Sequence, residues 1–396
     1  MARQGTLQIP ALDGVRGIAV ILVILVHANS VYGGPFFNGI SGVISRTFVA
    51  GWTGVDLFFV LSGFLITRIL LESRESDHYF RNFYARRVLR IMPLYYGYLA
   101  AVFLLGSFLP RFHINGAGSR SLLLYYYNFY AALSGGPLPF VHQFWSLSVE
   151  EHFYLLWPLI VKLLPNRTLL RICMFGAALA LVLRIAVISS GAWFQVAYLT
   201  TPCRIDGLLG GAAVAIVSTD PEIWQRLSRY AVSAMVGGGA LAIGIGIGGR
   251  HFSDLMDFRY VQGTPTDSSV VLTLGISAIS LCFAAAIFLV VDGSFPQFLA
   301  GPRLRSVGKY SYAIYVFHSP LEHVALKCVV TFVKRESINP ILGIVAVAAV
   351  TFILSFALAW ISYHAFERHF LRLKDHFRDG PTGAAKARDN ALRQAG

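Results

Sequence analysis

Apolar stretches about 18 to 22 residues long recur along the whole chain, and that recurrence restricts the fold more than any other feature. Each is long enough, as a helix, to cross a hydrocarbon core about 30 Å thick. About ten are recognisable, over residues 12–32, 52–71, 88–109, 143–164, 170–189, 201–218, 230–249, 269–291, 309–332 and 340–363. The expected architecture is all-α, a polytopic membrane bundle of about ten transmembrane helices. Composition points the same way: the 396 residues are 56% hydrophobic and 13% charged, outside the balance of a soluble globular chain. The apolar run Leu122 to Leu133 is shorter and rich in tyrosine, which suits a re-entrant or interfacial helix better than a crossing.

Lys and Arg set the orientation, because cytoplasmic loops carry their excess. An even number of crossings puts both termini on one side. Placing that side in the cytoplasm assigns most of the 33 basic residues to inner loops and termini, among them Arg81, Arg86, Arg87 and Arg90. The net charge of +13 then faces anionic headgroups or an anionic cytoplasmic ligand, and nucleic acid is not needed to explain it. Cys173, Cys203, Cys282 and Cys328 are scattered through apolar segments without paired spacing, so neither a disulfide framework nor a metal site is expected. The run Gly17 to Val26 has the outline of a secretory leader, but Asp13 before it is at odds with a basic leader. One membrane domain over residues 1–370 and a basic, disordered cytoplasmic tail over 371–396 complete the expected layout.

Ionisable residues inside apolar segments cost several kcal/mol each, so each is a functional candidate until a structural partner is found. Arg16 and His27 are eleven positions apart, which on a helix returns His27 to within about 20° of Arg16 and about 16 Å deeper. An anionic donor held at the inner mouth by Arg16 can therefore extend a reactive end to the imidazole. The ordinary alternative is a His bonded to a neighbouring helix and an Arg snorkelling to headgroups. In Trp145-Ser146-Leu147-Ser148-Val149-Glu150-Glu151-His152, Ser146 and Glu150 share a helix face. By helix rise Glu150 and His27 both fall near the midplane, where a carboxylate can orient a His general base, or form a salt bridge and nothing more.

Three further places stand out. His318, with Tyr315 and Ser311 before it, makes a polar stripe on an apolar segment, though helix packing alone accounts for small and tyrosyl residues. Arg204 and Asp206, with Asp56, fall on the outer side, where a polar acceptor would arrive, and equally suit a structural ion pair. Arg86, Arg87 and Arg90 on an inner loop suit bidentate phosphate binding as well as simple anchoring.

Several stretches, in order, carry a resemblance: Leu12-Asp13-Gly14-Val15-Arg16-Gly17 with His27 following Arg16 after ten residues, Gly54-Val55-Asp56 through Phe64-Leu65, Arg86-Arg87, Trp145 through Glu151, Arg204 to Gly210, Gly308 to Pro320, and Phe366-Glu367-Arg368. Together, from Leu12 to about Phe370, the chain resembles the acyltransferase-3 family of membrane proteins. The resemblance implies that His27 is catalytic, that Arg16 is important and that Ser146 and Glu150 are essential. Two departures matter: His152 stands where the family usually has Gln, and Glu367-Arg368-His369 lacks the family's usual following Pro.

The implied reaction moves an acyl group, acetyl or longer, from cytoplasmic acyl-CoA to a hydroxyl of a carbohydrate or glycosylated small molecule. The acyl-CoA is a co-substrate, and no permanently bound cofactor or metal is expected. Its phosphates would lie at Arg86, Arg87, Arg90 and Arg16. His27 would be the base, with Glu150 assisting or an acyl-His27 intermediate forming. Asp56, Trp145, Arg204, Asp206, Tyr315 and His318 would bind the acceptor, and the outer stretch from Ser107 to His142 would select it. The implied location is the bacterial cytoplasmic membrane, with the chain ending short of the hydrolase-like domain that some relatives append. Two rival readings use the same residues: a proton- or solute-coupled transporter, disfavoured by the lack of repeat symmetry, and a membrane scaffold in which the polar residues only join helices.

Overall fold

A computed structural model describes residues 9–33, 39–134, 138–248, 269–332 and 339–377. Among them there is no strand. The N-terminal half contributes α1 (Pro10–Tyr32), α2 (Gly39–Val49), α3 (Thr53–Glu72), α4 (Tyr79–Phe108), the short α5 (Gly116–Leu123) and α6 (Tyr127–Leu133), and α7 (Phe144–Leu163). Then follow α8 (Asn166–Ser189), the short α9 (Phe194–Leu199), α10 (Thr201–Val217), α11 (Pro221–Gly248), α12 (Ile276–Asp292), α13 (Pro302–Phe332), α14 (Pro340–Ser362) and α15 (Arg368–Arg372).

All of the expected apolar segments fall on helices. Six helical runs among the described residues are long and apolar enough to cross a membrane: Pro10–Tyr32, Ile40–Glu72, Tyr79–Phe108, Asn166–Ser189, Val271–Asp292 and Pro340–Phe377. Of the rest, α10 has only 17 residues, while α7 and α13 carry Glu150, Glu151, His152, His318, Glu322 and His323, which lower their mean hydropathy. The residues that make the site interesting are thus the ones that weaken the membrane signal.

Close glycine contacts set how the helices approach. A Cβ at Gly63 of α3 would strike the Leu208 carbonyl on α10, and one at Gly211 of α10 would strike the Val60 carbonyl on α3. Gly308 of α13 meets the backbone of Asp13 on α1 in the same way. Small residues permit such approaches where lipid offers no competing hydrophobic gain. Around α1 pack α3, α13 and α14, and α10 links α3 to α8 and α12.

The expected re-entrant segment is two short helices rather than one. Tyr125 between them takes the left-handed backbone conformation, φ 57°. Tyr95 and Tyr96 of α4 donate to the carbonyls of Leu122 (2.8 Å) and Leu123 (3.0 Å) at that break, the Leu122 carbonyl also accepting the Tyr125 N–H. Of the tail expected to be disordered, residues up to Phe377 are helical, and Arg86 donates to the Phe377 carbonyl at 2.6 Å. Residues 378–396 lie outside the described residues.

Candidate active site

Two neighbouring cavities lie among α1, α3, α4, α7 and α13. The larger encloses about 920 Å³ of empty space, its open mouth included, and its wall carries Arg16 of α1, Arg87 and Arg90 of α4, Ser62 of α3, Ser146, Glu150 and Tyr154 of α7, and Tyr312 and Tyr315 of α13. Phe58, Leu65, Ile66 and Ile69 make its apolar side. The smaller, about 460 Å³, is walled by His27, His142, Gln143, Trp52, Trp145 and Tyr198. Val55 and Tyr315 belong to both walls, so the two spaces adjoin across them. One pole of this paired space is cationic, the other imidazole.

The expected donor arginines divide. Arg16, Arg87 and Arg90 line the larger cavity, with Arg16 also donating to Asp13 at 2.8 Å. The Arg87 guanidinium rests near the rings of Phe83 and Tyr154. Arg86 turns instead to the Phe377 carbonyl and takes no part in the cavity wall. Three guanidinium groups around one partly apolar space, with Glu150 the carboxylate on that wall, leave an excess of positive charge that an anionic ligand relieves.

Ser146 and Glu150 share a helix face as expected, and both line the larger cavity. The Ser146 and Tyr315 hydroxyls lie 2.6 Å apart and both are within hydrogen-bond reach of the Gln143 carbonyl (3.1 and 3.0 Å), so one of them donates to the other and the other to that carbonyl. Glu150 accepts from the Ser62 hydroxyl. The expected pairing of Glu150 with His27 is not formed. The carboxylate within 4 Å of the His27 ring is Glu322, whose Oε2 is 3.8 Å from Nδ1. Helix rise placed Glu150 and His27 at similar depth, but depth is one coordinate of three, and the two project into different cavities.

His27 is the centre of a cluster that the sequence only half disclosed. Its ring centroid lies 4.8 Å from that of His142 and 5.0 Å from that of His318. Nδ1 of His318 bonds the Tyr315 carbonyl at 2.7 Å, and Nδ1 of His142 bonds the Ser319 hydroxyl at 3.2 Å. Their Nε2 atoms are buried without a hydrogen-bond partner. Pro320 helps build this corner. It has no N–H to offer the Val316 carbonyl, and Gln143 donates to that carbonyl at 3.0 Å, drawing the residues before α7 against α13. One ring nitrogen from each of the three histidines lies within 4.8 Å of the others. Ligand atoms around a tetrahedral zinc are about 3.3 Å apart, so the trio would have to draw together to hold one.

Asp56, Arg204 and Asp206 line neither cavity, against the expectation that they bind an acceptor. Arg204 donates to Asp56 at 2.8 Å, with its guanidinium among the rings of Phe59, Trp145 and Tyr198. Arg184 donates to Asp206 at 2.7 Å, to Ser277 and to the Cys203 carbonyl. These two buried pairs join α3, α10, α8 and α12 into one layer. His152, at the family's usual Gln position, bonds the Thr201 hydroxyl at 2.6 Å, which in turn accepts from Asn128, locking α7 to α10 and α6. Glu367 accepts from nearby Ser362. The four cysteines are free thiols.

The family model described as an acyltransferase domain, Acyl_transf_3, matches residues 9–360. The chain belongs to the acyltransferase-3 family. It is 29% identical over 340 residues to the peptidoglycan O-acetyltransferase OatA of Listeria monocytogenes, covering 79% of this chain and 49% of that one. It is 29% identical over 387 residues to the putative peptidoglycan O-acetyltransferase YrhL of Bacillus subtilis, covering 91% and 54%. To the O-acetyltransferase OatA of Staphylococcus aureus it is 27% identical over 332 residues, covering 79% and 50%. The chain thus spans about half the length of the curated relatives it matches. No solved structure matches. Every relative named here carries the name of an O-acetyltransferase, one of them as a putative enzyme, which leaves the transporter reading without support.

Proposed function

We propose that this acyltransferase-3 protein is a membrane-embedded O-acyltransferase that moves an acetyl or related acyl group from cytoplasmic acyl-CoA to a hydroxyl of a carbohydrate acceptor. The observation that carries the reading is that a space lined by three arginines lies beside one lined by His27, with Val55 and Tyr315 in the wall of both. Arginine forks suit the phosphates of the donor. The apolar side that α3 supplies suits a substrate arm. The relatives' names supply the acceptor class, a glycan hydroxyl.

In the proposed reaction the acceptor hydroxyl lies against His27, which takes its proton as the oxygen attacks the thioester carbon. The carbon–sulfur bond breaks, the carbon–oxygen bond forms, and the proton passes to the departing thiolate. Ser146 and Tyr315, bonded to each other where the cavities adjoin, would steer the acyl carbonyl, and Glu150 would set the polarity of the donor side. Both termini in the cytoplasm, and about ten crossings of the bacterial cytoplasmic membrane, would place the arginine end inside and the histidine end toward the outer leaflet.

The test is transfer from radiolabelled acetyl-CoA by purified, detergent-solubilised protein to a panel of acceptors that includes peptidoglycan fragments. Labelled glycan is expected from the wild type, with His27→Ala slower by about 10² to 10⁴-fold, the usual worth of a general base. Binding of acetyl-CoA without transfer to any panel member would refute the acceptor class, and no binding at all would refute the donor.

A further inference from the structure

Glu322 is a carboxylate in a place that should not hold one. It is 4% exposed on α13, two residues past Pro320. Its ion-pair contacts among the described residues are both histidines: His27 Nδ1 lies 3.8 Å from Oε2, and His323 Nδ1 lies 3.7 Å from Oε1. Oε2 accepts no hydrogen bond. A buried carboxylate costs several kcal/mol unless something nearby carries compensating charge, and the groups placed to do so are imidazoles.

We infer that Glu322 is the positioning carboxylate of His27, fixing which ring nitrogen is basic and holding the ring as it charges. The inference rests on His27 being the base of the proposed reaction. With Nδ1 toward Glu322, the proton of neutral His27 sits on Nδ1, and Nε2 is the nitrogen left for the acceptor hydroxyl. When Nε2 takes the acceptor proton, Glu322 remains ionised and binds the Nδ1–H of the imidazolium. The proton on Nε2 then goes to the thiolate, so Glu322 gains and loses nothing over the cycle. At 3.8 Å the contact is longer than a hydrogen bond, and catalytic contacts of this kind tighten once substrate is bound.

No other carboxylate is placed for this task among the described residues. Glu150 lines the other cavity and already accepts from Ser62. The remaining ionisable groups around His27 and Glu322 are His142 before α7, His318 and His323 on α13, and Tyr98 on α4. His142 and His318 have their Nδ1 atoms occupied by Ser319 and the Tyr315 carbonyl, so neither competes for Glu322 through that nitrogen.

Glu322→Gln and Glu322→Asp, purified alongside the wild type, test the assignment. The Gln variant is expected to lower kcat by about 10² to 10⁴-fold, as loss of a His-orienting carboxylate does, with KM for acetyl-CoA within about threefold because the arginine cavity is untouched. The limb of the rate–pH profile that reports the base should move, and the Asp variant should regain part of kcat. A Gln variant that keeps the wild-type kcat and pH profile overturns the inference while leaving the acyltransferase reading intact. If the wild type transfers nothing, the reading beneath it fails instead. Should neither variant fold, nitrogen-15 histidine NMR of wild type, with His27→Asn to assign the signal, decides: an Nδ1–H tautomer supports the inference, and an Nε2–H tautomer overturns it.

Discussion

Arg204 is wholly buried, and Asp56 holds it from the facing helix. Removing one partner of such a pair leaves the other charge uncompensated, at a cost of about 3 to 5 kcal/mol. Asp56→Ala should therefore lower the thermal midpoint in detergent sharply, while a midpoint close to wild type with acetyl transfer gone would return Asp56 to a substrate-binding role. The arginines divide by a similar argument. Arg87→Ala and Arg90→Ala should each weaken acetyl-CoA binding about tenfold or more by calorimetry, the worth of a charge-assisted contact, whereas Arg86→Ala should stay within about threefold. Which of these residues was legible beforehand follows from geometry. Arg16 with His27, and Ser146 with Glu150, are helix-face relations that periodicity alone yields. Glu322 carries only the general signal of a carboxylate inside the apolar segment 309–332, with no helix-face relation to His27, and His142 precedes its helix, so it is the packing of α13 against the start of α7 that brings both to His27.

At the scale of elements, α3 and α10 are fitted by glycines on both partners, Gly63 under Leu208 and Gly211 under Val60. A side chain at either position meets backbone, which cannot swing aside as a flexible side chain can. Gly63→Val and Gly211→Val should abolish the monodisperse peak in size-exclusion chromatography, while Gly237→Val, whose Cβ meets nothing within 4 Å, should keep it. The Asp56–Arg204 pair lies in the same α3–α10 interface, so a shift there also disturbs Val55, the neighbour of Asp56 on both cavity walls. Sequence periodicity located these helices well, because long apolar runs have one reading in lipid. It could not foresee that the Leu122–Leu133 stretch breaks at Tyr125, where α4 tyrosines donate to the Leu122 and Leu123 carbonyls from another helix.

Across the whole molecule, an arginine-lined space lies beside a histidine-lined one, with Tyr315 in the wall between them. The proposed cytoplasmic placement of the arginine end predicts that a maleimide that does not cross membranes will label a cysteine introduced at Arg81 in inverted vesicles and not in intact spheroplasts. The pairing of the two spaces predicts a division of labour between them. The most direct test is a single-turnover experiment with labelled acetyl-CoA and a glycan acceptor, measuring binding and transfer separately for wild type, His27→Ala and Arg87→Ala. The account predicts that His27→Ala binds acetyl-CoA within about threefold of wild type yet transfers at least about 10²-fold more slowly, while Arg87→Ala loses binding and recovers transfer at high donor concentration. Undiminished transfer by His27→Ala, or loss of donor binding in that variant alone, would contradict it.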